Sequence, residues 1–114
     1  NIKKTGLKDK VHIVKGDSSE ELRIFPKEYF DFIYVDGNHD EKAVIKDAIG
    51  SFRILKKGGI IAFDDYLLGI SYPNSPGSKA MNGSTKKAID YFLDVFQDEL
   101  EIIYKDYQVW IRKK

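Results

Sequence analysis

The sequence predicts an α/β fold in which parallel strands are followed by a C-terminal antiparallel hairpin. Three observations predict it. Three short apolar, β-rich runs each stop at an acid, segments with helical stripes separate the later ones, and two further β-rich runs lie only three residues apart near the end.

Val11-His12-Ile13-Val14-Lys15 is the first strand, and it stops at Gly16-Asp17. Ser18-Ser19-Glu20-Glu21 starts a short helix, with acids near the positive end of the helix dipole, and Pro26 ends it. Phe32-Ile33-Tyr34-Val35 is nearly continuous in apolar character, as expected of a strand covered on both faces, and ends at Asp36-Gly37. From Ala43 to Leu55 the residues Ile45, Ala48, Ile49, Phe52 and Leu55 share one helical stripe, closed by Lys56-Lys57-Gly58-Gly59. Gly59 to Phe63 is the next buried strand, ending at Asp64-Asp65. Residues 66–83, with Pro73, Pro76, Gly77 and Gly83, read as a long loop of the kind that serves as a functional lid or is disordered. Thr85 to Phe96 carries the stripe Ala88, Ile89, Phe92, Leu93 and Phe96. Leu100–Tyr104 and Gln108–Arg112 then pair as a hairpin around Lys105-Asp106-Tyr107.

A chain of 114 residues holds one core, so residues 1–114 are read as a single domain. With 42% hydrophobic residues and a net charge of +1, neither intrinsic disorder nor a nucleic-acid-coating role fits. No apolar run reaches the roughly 18 residues of a spanning helix, and the first residues lack the apolar stretch of a signal peptide. The absence of cysteine excludes disulfide scaffolds, thiolate metal sites and thiol nucleophiles, and fits a cytoplasmic location. The chain starts at Asn1, not Met, as a processed or excised chain would.

Ligands of open α/β sheets bind outside the carboxyl ends of the strands. Asp17, Asp36 and the pair Asp64-Asp65 all fall at such ends, and parallel strands bring those ends to one rim. Each acid alone is equally well a cap or turn residue. The adjacent pair, however, repels itself unless a cation or hydrogen-bond donors neutralise it. Hard oxygen ligands without cysteine suit a divalent cation such as Mg²⁺. His39, three residues after Asp36, can act as a base for a hydroxyl or serve as polar packing at a helix start. His12, inside a strand, reads as a packed or edge residue.

The segments Val14-Lys15-Gly16-Asp17-Ser18, Asp31 to His39 (DFIYVDGNH) and Leu55 to Tyr66 (LKKGGIIAFDDY) resemble the second half of a class I S-adenosylmethionine (SAM)-dependent methyltransferase. The branch is that of the small-molecule O-methyltransferases, including the catechol and macrolide-sugar enzymes, and the resemblance covers nearly all of residues 8–114. It implies that Gly16, Asp17 and Ser18 meet the adenine of SAM and that Asp36 also lies against the cofactor. It further implies that Asp36, Asp64 and Asp65 hold a divalent cation, most simply Mg²⁺, and that His39 is the catalytic base, where catechol enzymes carry a lysine. Methyl transfer to an alcohol fits this set, since the oxygen must be alkoxide-like and in line with the sulfonium methyl.

The Gly-rich turn and the ribose-binding acid of such enzymes have no counterpart in the chain. The family sheet order 3-2-1-4-5-7-6 makes this an incomplete Rossmann-like sheet, lacking the two strands between its own first and second. Either the protein is longer, or the remaining strands close up and an exposed sheet edge pairs with another copy as a homo-oligomer. Ile33, Val35, Ile61 and Phe63 are expected to be under-covered. The reading is a metal-assisted O-methyltransferase acting on a hydroxylated small molecule, inactive as the isolated chain, with no nucleic-acid or membrane partner. The alternative is a non-catalytic α/β oligomerisation module derived from one. A phosphoacceptor domain fits poorly because its acid pair belongs on the first strand, and a dinucleotide oxidoreductase is excluded by the missing glycine turn.

Overall fold

Runs of β-branched and aromatic residues pair into one five-stranded sheet, and two amphipathic helices pack against it. The computed structural model describes residues 10–14, 22–36, 41–67 and 84–114. In chain order the elements are β1 (Val11–Val14), β2 (Phe30–Val35), α1 (Glu41–Ile54), β3 (Leu55–Phe63), α2 (Ser84–Val95), β4 (Leu100–Lys105) and β5 (Val109–Lys113). The spatial order is β1-β2-β3-β5-β4. β1, β2 and β3 run parallel, whereas β5 is antiparallel to both β3 and β4, which makes the expected hairpin.

The last four strands follow the 4-5-7-6 part of the expected order, and the gap before them is closed. β1 lies directly on β2, with Val11 opposite Phe32 and Val14 opposite Val35. The ladder is extended by Asp31 N donating to Lys10 O at 2.8 Å and Asp36 N to Val14 O at 3.0 Å. The edge of β2 therefore has a partner within the chain.

Helix α1 stops one residue earlier than the expected stripe, because Leu55 already pairs with Phe30 of β2. Regular pairing resumes at Ile60 opposite Phe32, so the intervening residues are looped out, with Gly58 in the left-handed region at φ 84°. The buried stripe of α1 is Val44, Ala48 and Phe52, while Ile49, expected inside, is 43% exposed. The C-terminus of α1 is capped from a distance. Lys113 Nζ donates to Phe52 O at 2.8 Å and Leu55 O at 2.9 Å, and Tyr29 N donates to Ile54 O at 2.8 Å. Arg53 reaches back to the carbonyls of Leu22 and Phe25 and so holds residues 22–25 beneath the helix. Those residues run mostly as turns, and the expected helix start at Ser18–Glu21 lies outside the described residues.

Side chains alternate across the strands, so the register defines two faces. Ile33, Ile61 and Ile111 form one row, and Val14, Val35, Phe63 and Val109 the next, all with no exposed surface. Both rows belong to one core with Ala88, Ile89 and Phe92 of α2. Phe92 sits 5.5 Å from both Phe52 and Phe63, joining the two helices to the sheet. This corrects the expectation for Ile33, Val35, Ile61 and Phe63, whose parity puts them on the helix side. The opposite face carries Val11 and Ile13, 40% and 54% exposed, then the half-buried Phe32, Tyr34, Ile60 and Trp110. Among the described residues no helix is long and apolar enough to cross a membrane.

Candidate functional site

The ladder itself sets the position of the acids. Asp36 follows Val35 and donates its N–H to Val14 O of β1, while Asp64 follows Phe63 and donates to Val35 O of β2 at 2.9 Å. Each acid thus takes the first place beyond a parallel strand, and Asp36 and Asp64 share one rim. Asp65 is in the left-handed region, φ 58°, a conformation that costs a non-glycine residue of the order of 1 kcal/mol and is found at functional sites more than elsewhere. The turn aims its N–H back at its neighbour, and Asp65 N donates to Asp64 Oδ1 at 2.9 Å.

Among the described residues, three side chains donate to the pair. The Tyr34 hydroxyl donates to Asp64 Oδ2, and the Tyr107 hydroxyl donates to Asp65 Oδ1. Gln108 Nε2 donates to Asp64 Oδ1 at 3.2 Å, and its other end accepts from Trp110 Nε1 at 3.0 Å. Tyr107 and Gln108 come from the turn just before the antiparallel strand β5. Since Val109 lies opposite Phe63, the residues before it fall beside those after Phe63. Tyr66 N donates to Tyr107 O at 2.8 Å and fastens the two segments together.

The electrostatics follow from this crowding. The Tyr34 phenol is pushed well above its ordinary range, first by burial, then by its bond to Asp64 and the charges of Asp64, Asp36 and Asp65. Burial likewise raises Asp65, aided by the charges of Asp64 and Asp36, while the Tyr107 bond opposes the shift. Tyr34 thus stays a neutral donor.

Two further groups flank the rim. Tyr66 is buried and its hydroxyl donates to Asp90 Oδ1 at 2.5 Å, with Lys86 Nζ 2.7 Å from Asp90 Oδ2. On the sheet face opposite α1 and α2, Ile103, Tyr104, Gln108 and Trp110 line an open hollow of about 460 Å³.

Of the residues singled out in the sequence, Asp36, Asp64 and Asp65 come to one rim. Gly16, Asp17, Ser18 and His39 lie outside the described residues. Among the described residues no three acids or histidines form a group able to hold a metal ion. Tyr34, Tyr107, Gln108 and a backbone N–H donate to three of the four carboxylate oxygens of Asp64 and Asp65. As arranged, these residues do not fit a cation. His12 is packed as expected, stacked on Phe30 at 5.0 Å and edge-on to Phe25 at 5.2 Å. Sequence reasoning did not single out Tyr34, Tyr107 and Gln108 as site residues. Extending the antiparallel register by two residues past Val109 would have placed Tyr107 beside Asp65.

The family model of the methyltransferase domain matches residues 1–66, more than half of the chain, and runs through Asp36 to the residue after the acid pair. The chain belongs to the methyltransferase domain family. Solved structures share the fold of this domain at low identity. The SAH-bound methyltransferase PaMTH1 of Podospora anserina is 22% identical, with a TM-score of 0.56 over 99% of this chain and 53% of its own. A caffeoyl-CoA O-methyltransferase-like protein of Staphylococcus aureus is 16% identical, with a TM-score of 0.60 over 100% of this chain and 56% of its own. A Corynebacterium glutamicum protein is 9% identical, with a TM-score of 0.61 over 83% of this chain and 44% of its own. The methyltransferase domain described here therefore spans about half the length of these neighbours. The comparison with curated proteins found no match.

Proposed function

We propose that the chain is the C-terminal part of a SAM-dependent O-methyltransferase that acts on a hydroxylated small molecule. The family match across residues 1–66 carries this reading, because it spans the Gly16-Asp17-Ser18 loop, Asp36, His39 and the acid pair together. The O-methyltransferase-like neighbour supports the choice of a hydroxyl acceptor.

In this reading SAM supplies an electrophilic methyl group. Asp17 and Ser18 accept and donate hydrogen bonds at the adenine, and Asp36 orders the cofactor side of the rim. An imidazole nitrogen of His39 takes the proton of the acceptor hydroxyl as it reacts. Asp64, held by Tyr34 and Gln108, fixes the acceptor side of the rim, and the hollow beside Gln108 and Trp110 offers apolar surface to the rest of the acceptor. No step is routed through a divalent cation, since three of the pair's four oxygens accept hydrogen bonds from the protein and no metal-holding group forms among the described residues.

Isotope-edited NMR of the chain with millimolar SAM tests the reading. Shifts gathered at residues 16–18 and at Asp36 are expected, with affinity weaker than micromolar because too few contacts are present to hold a flexible cofactor. Shifts confined to other regions, or none, would count against it. In a complete domain that carries this chain, His39→Ala should lower turnover by about 10²- to 10⁴-fold with SAM binding largely kept. An unchanged rate would return His39 to a packing role.

A further inference from the structure

Two adjacent carboxylates at a half-buried strand end need compensation. At Asp64 and Asp65 four donors among the described residues supply it. Two of them, Asp65 N–H and the Gln108 amide, converge on Asp64 Oδ1. The other two are phenols: Tyr34 takes Asp64 Oδ2 and Tyr107 takes Asp65 Oδ1. The phenols arrive from different elements, Tyr34 from β2 and Tyr107 from the turn between β4 and β5, so they clamp the end of β3 from both sides.

We infer that the hydroxyls of Tyr34 and Tyr107 are counter-groups of the acid pair, so that these two phenols compete with a divalent cation for Asp64 Oδ2 and Asp65 Oδ1. The inference stands on the hydrogen bonds alone and is independent of the proposed methyl transfer. A carboxylate oxygen directed at a phenolic O–H presents that lone pair to the proton, and a metal ion must break the bond before it can use it. Hydrogen bonds to charged groups are among the stronger ones, so each phenol should weaken cation binding by roughly tenfold. The clamp is also positional. With both phenols engaged, Asp65 keeps its left-handed turn and Tyr66 its bond to the hairpin.

Mn²⁺ titration of the 114-residue chain, followed by paramagnetic broadening of the Asp64 and Asp65 amide signals, tests this. The expected result is no selective broadening in the wild-type chain at submillimolar Mn²⁺. The double variant Tyr34→Phe/Tyr107→Phe should bind at least roughly tenfold more tightly, and adding Asp64→Asn should abolish the gain. Selective wild-type binding as tight as that of the double variant would overturn the inference, as would a double variant that gains nothing. Circular dichroism checks the fold. If the double variant fails to fold, Tyr107→Phe alone, which alters only a turn residue, must show the gain or the inference falls.

Discussion

Gln108 and Asp64 are joined by an amide-to-carboxylate hydrogen bond of 3.2 Å, although 44 residues separate them in sequence. The same side chain accepts from Trp110, so one amide links the acid rim to the indole on the sheet face opposite α1 and α2. Loss of the amide should be felt at both ends. Gln108→Leu is expected to destabilise the chain by about 1–3 kcal/mol, the usual penalty for leaving partners of a part-buried hydrogen bond unsatisfied. Urea unfolding followed by Trp110 fluorescence would measure it, and a midpoint identical to wild type would show that water replaces the amide on both sides.

The pH dependence of stability should carry two opposed contributions. Asp65 is raised in the folded state, mainly by burial, so the folded chain holds this proton more tightly than the unfolded one. Its contribution is therefore most favourable below the ordinary aspartate range and is lost as pH rises from that range through the folded value. Asp90 behaves oppositely. Burial pushes it up, but its bonds to Lys86 and Tyr66 outweigh burial and leave it lowered. Its contribution is present above the ordinary range and is lost as pH falls through the folded value. Asp65→Asn should accordingly raise neutral-pH stability relative to that at low pH, and Asp90→Asn should do the reverse. Denaturation midpoints across the acid range, compared with wild type, check both signs.

The two glycines of the loop between α1 and the regular part of β3 should differ in tolerance. At Gly59 an added Cβ would lie 2.8 Å from Lys56 O, 2.8 Å from Leu55 Cδ1 and 3.0 Å from Asp31 O, and backbone oxygens cannot retreat as a flexible side chain can. At Gly58 the backbone is left-handed, but the space is open. Gly58→Ala should cost about 1 kcal/mol in backbone strain alone, and Gly59→Ala more than that. Equal losses in guanidinium unfolding would mean that the loop shifts to relieve the Gly59 contacts.

Much of the fold is legible because it rests on periodicity. Ile33, Val35, Ile61 and Phe63 declare buried strands, and Ala88, Ile89 and Phe92 declare the inner stripe of α2. The boundary between α1 and β3 is not legible, since Lys56-Lys57-Gly58-Gly59 has the chemistry of a helix end, yet only the pairing of Leu55 with Phe30 decides that the strand has begun. Parity misleads in a similar way. An apolar run such as Phe32-Ile33-Tyr34-Val35 does not say which alternate residues face the helices, and tertiary packing chose Ile33 and Val35. At the rim, the acids Asp36, Asp64 and Asp65 could be placed from strand ends alone. The donors Tyr34, Tyr107 and Gln108 could not, because their meeting depends on the register of β5 against β3.

The direct pairing of β1 with β2 has a consequence for any longer sheet. A strand offers one row of N–H and C=O groups on each side, and the row of β2 that faces away from β3 is taken by Val11–Val14. In the order 3-2-1-4 that same row belongs to a different strand. A polypeptide bringing that strand could not simply dock on a finished edge. It would have to take the place of the four residues of β1 in the ladder. The sheet described here and a longer sheet in the order 3-2-1-4 are therefore alternatives, because that row of β2 holds one partner strand at a time.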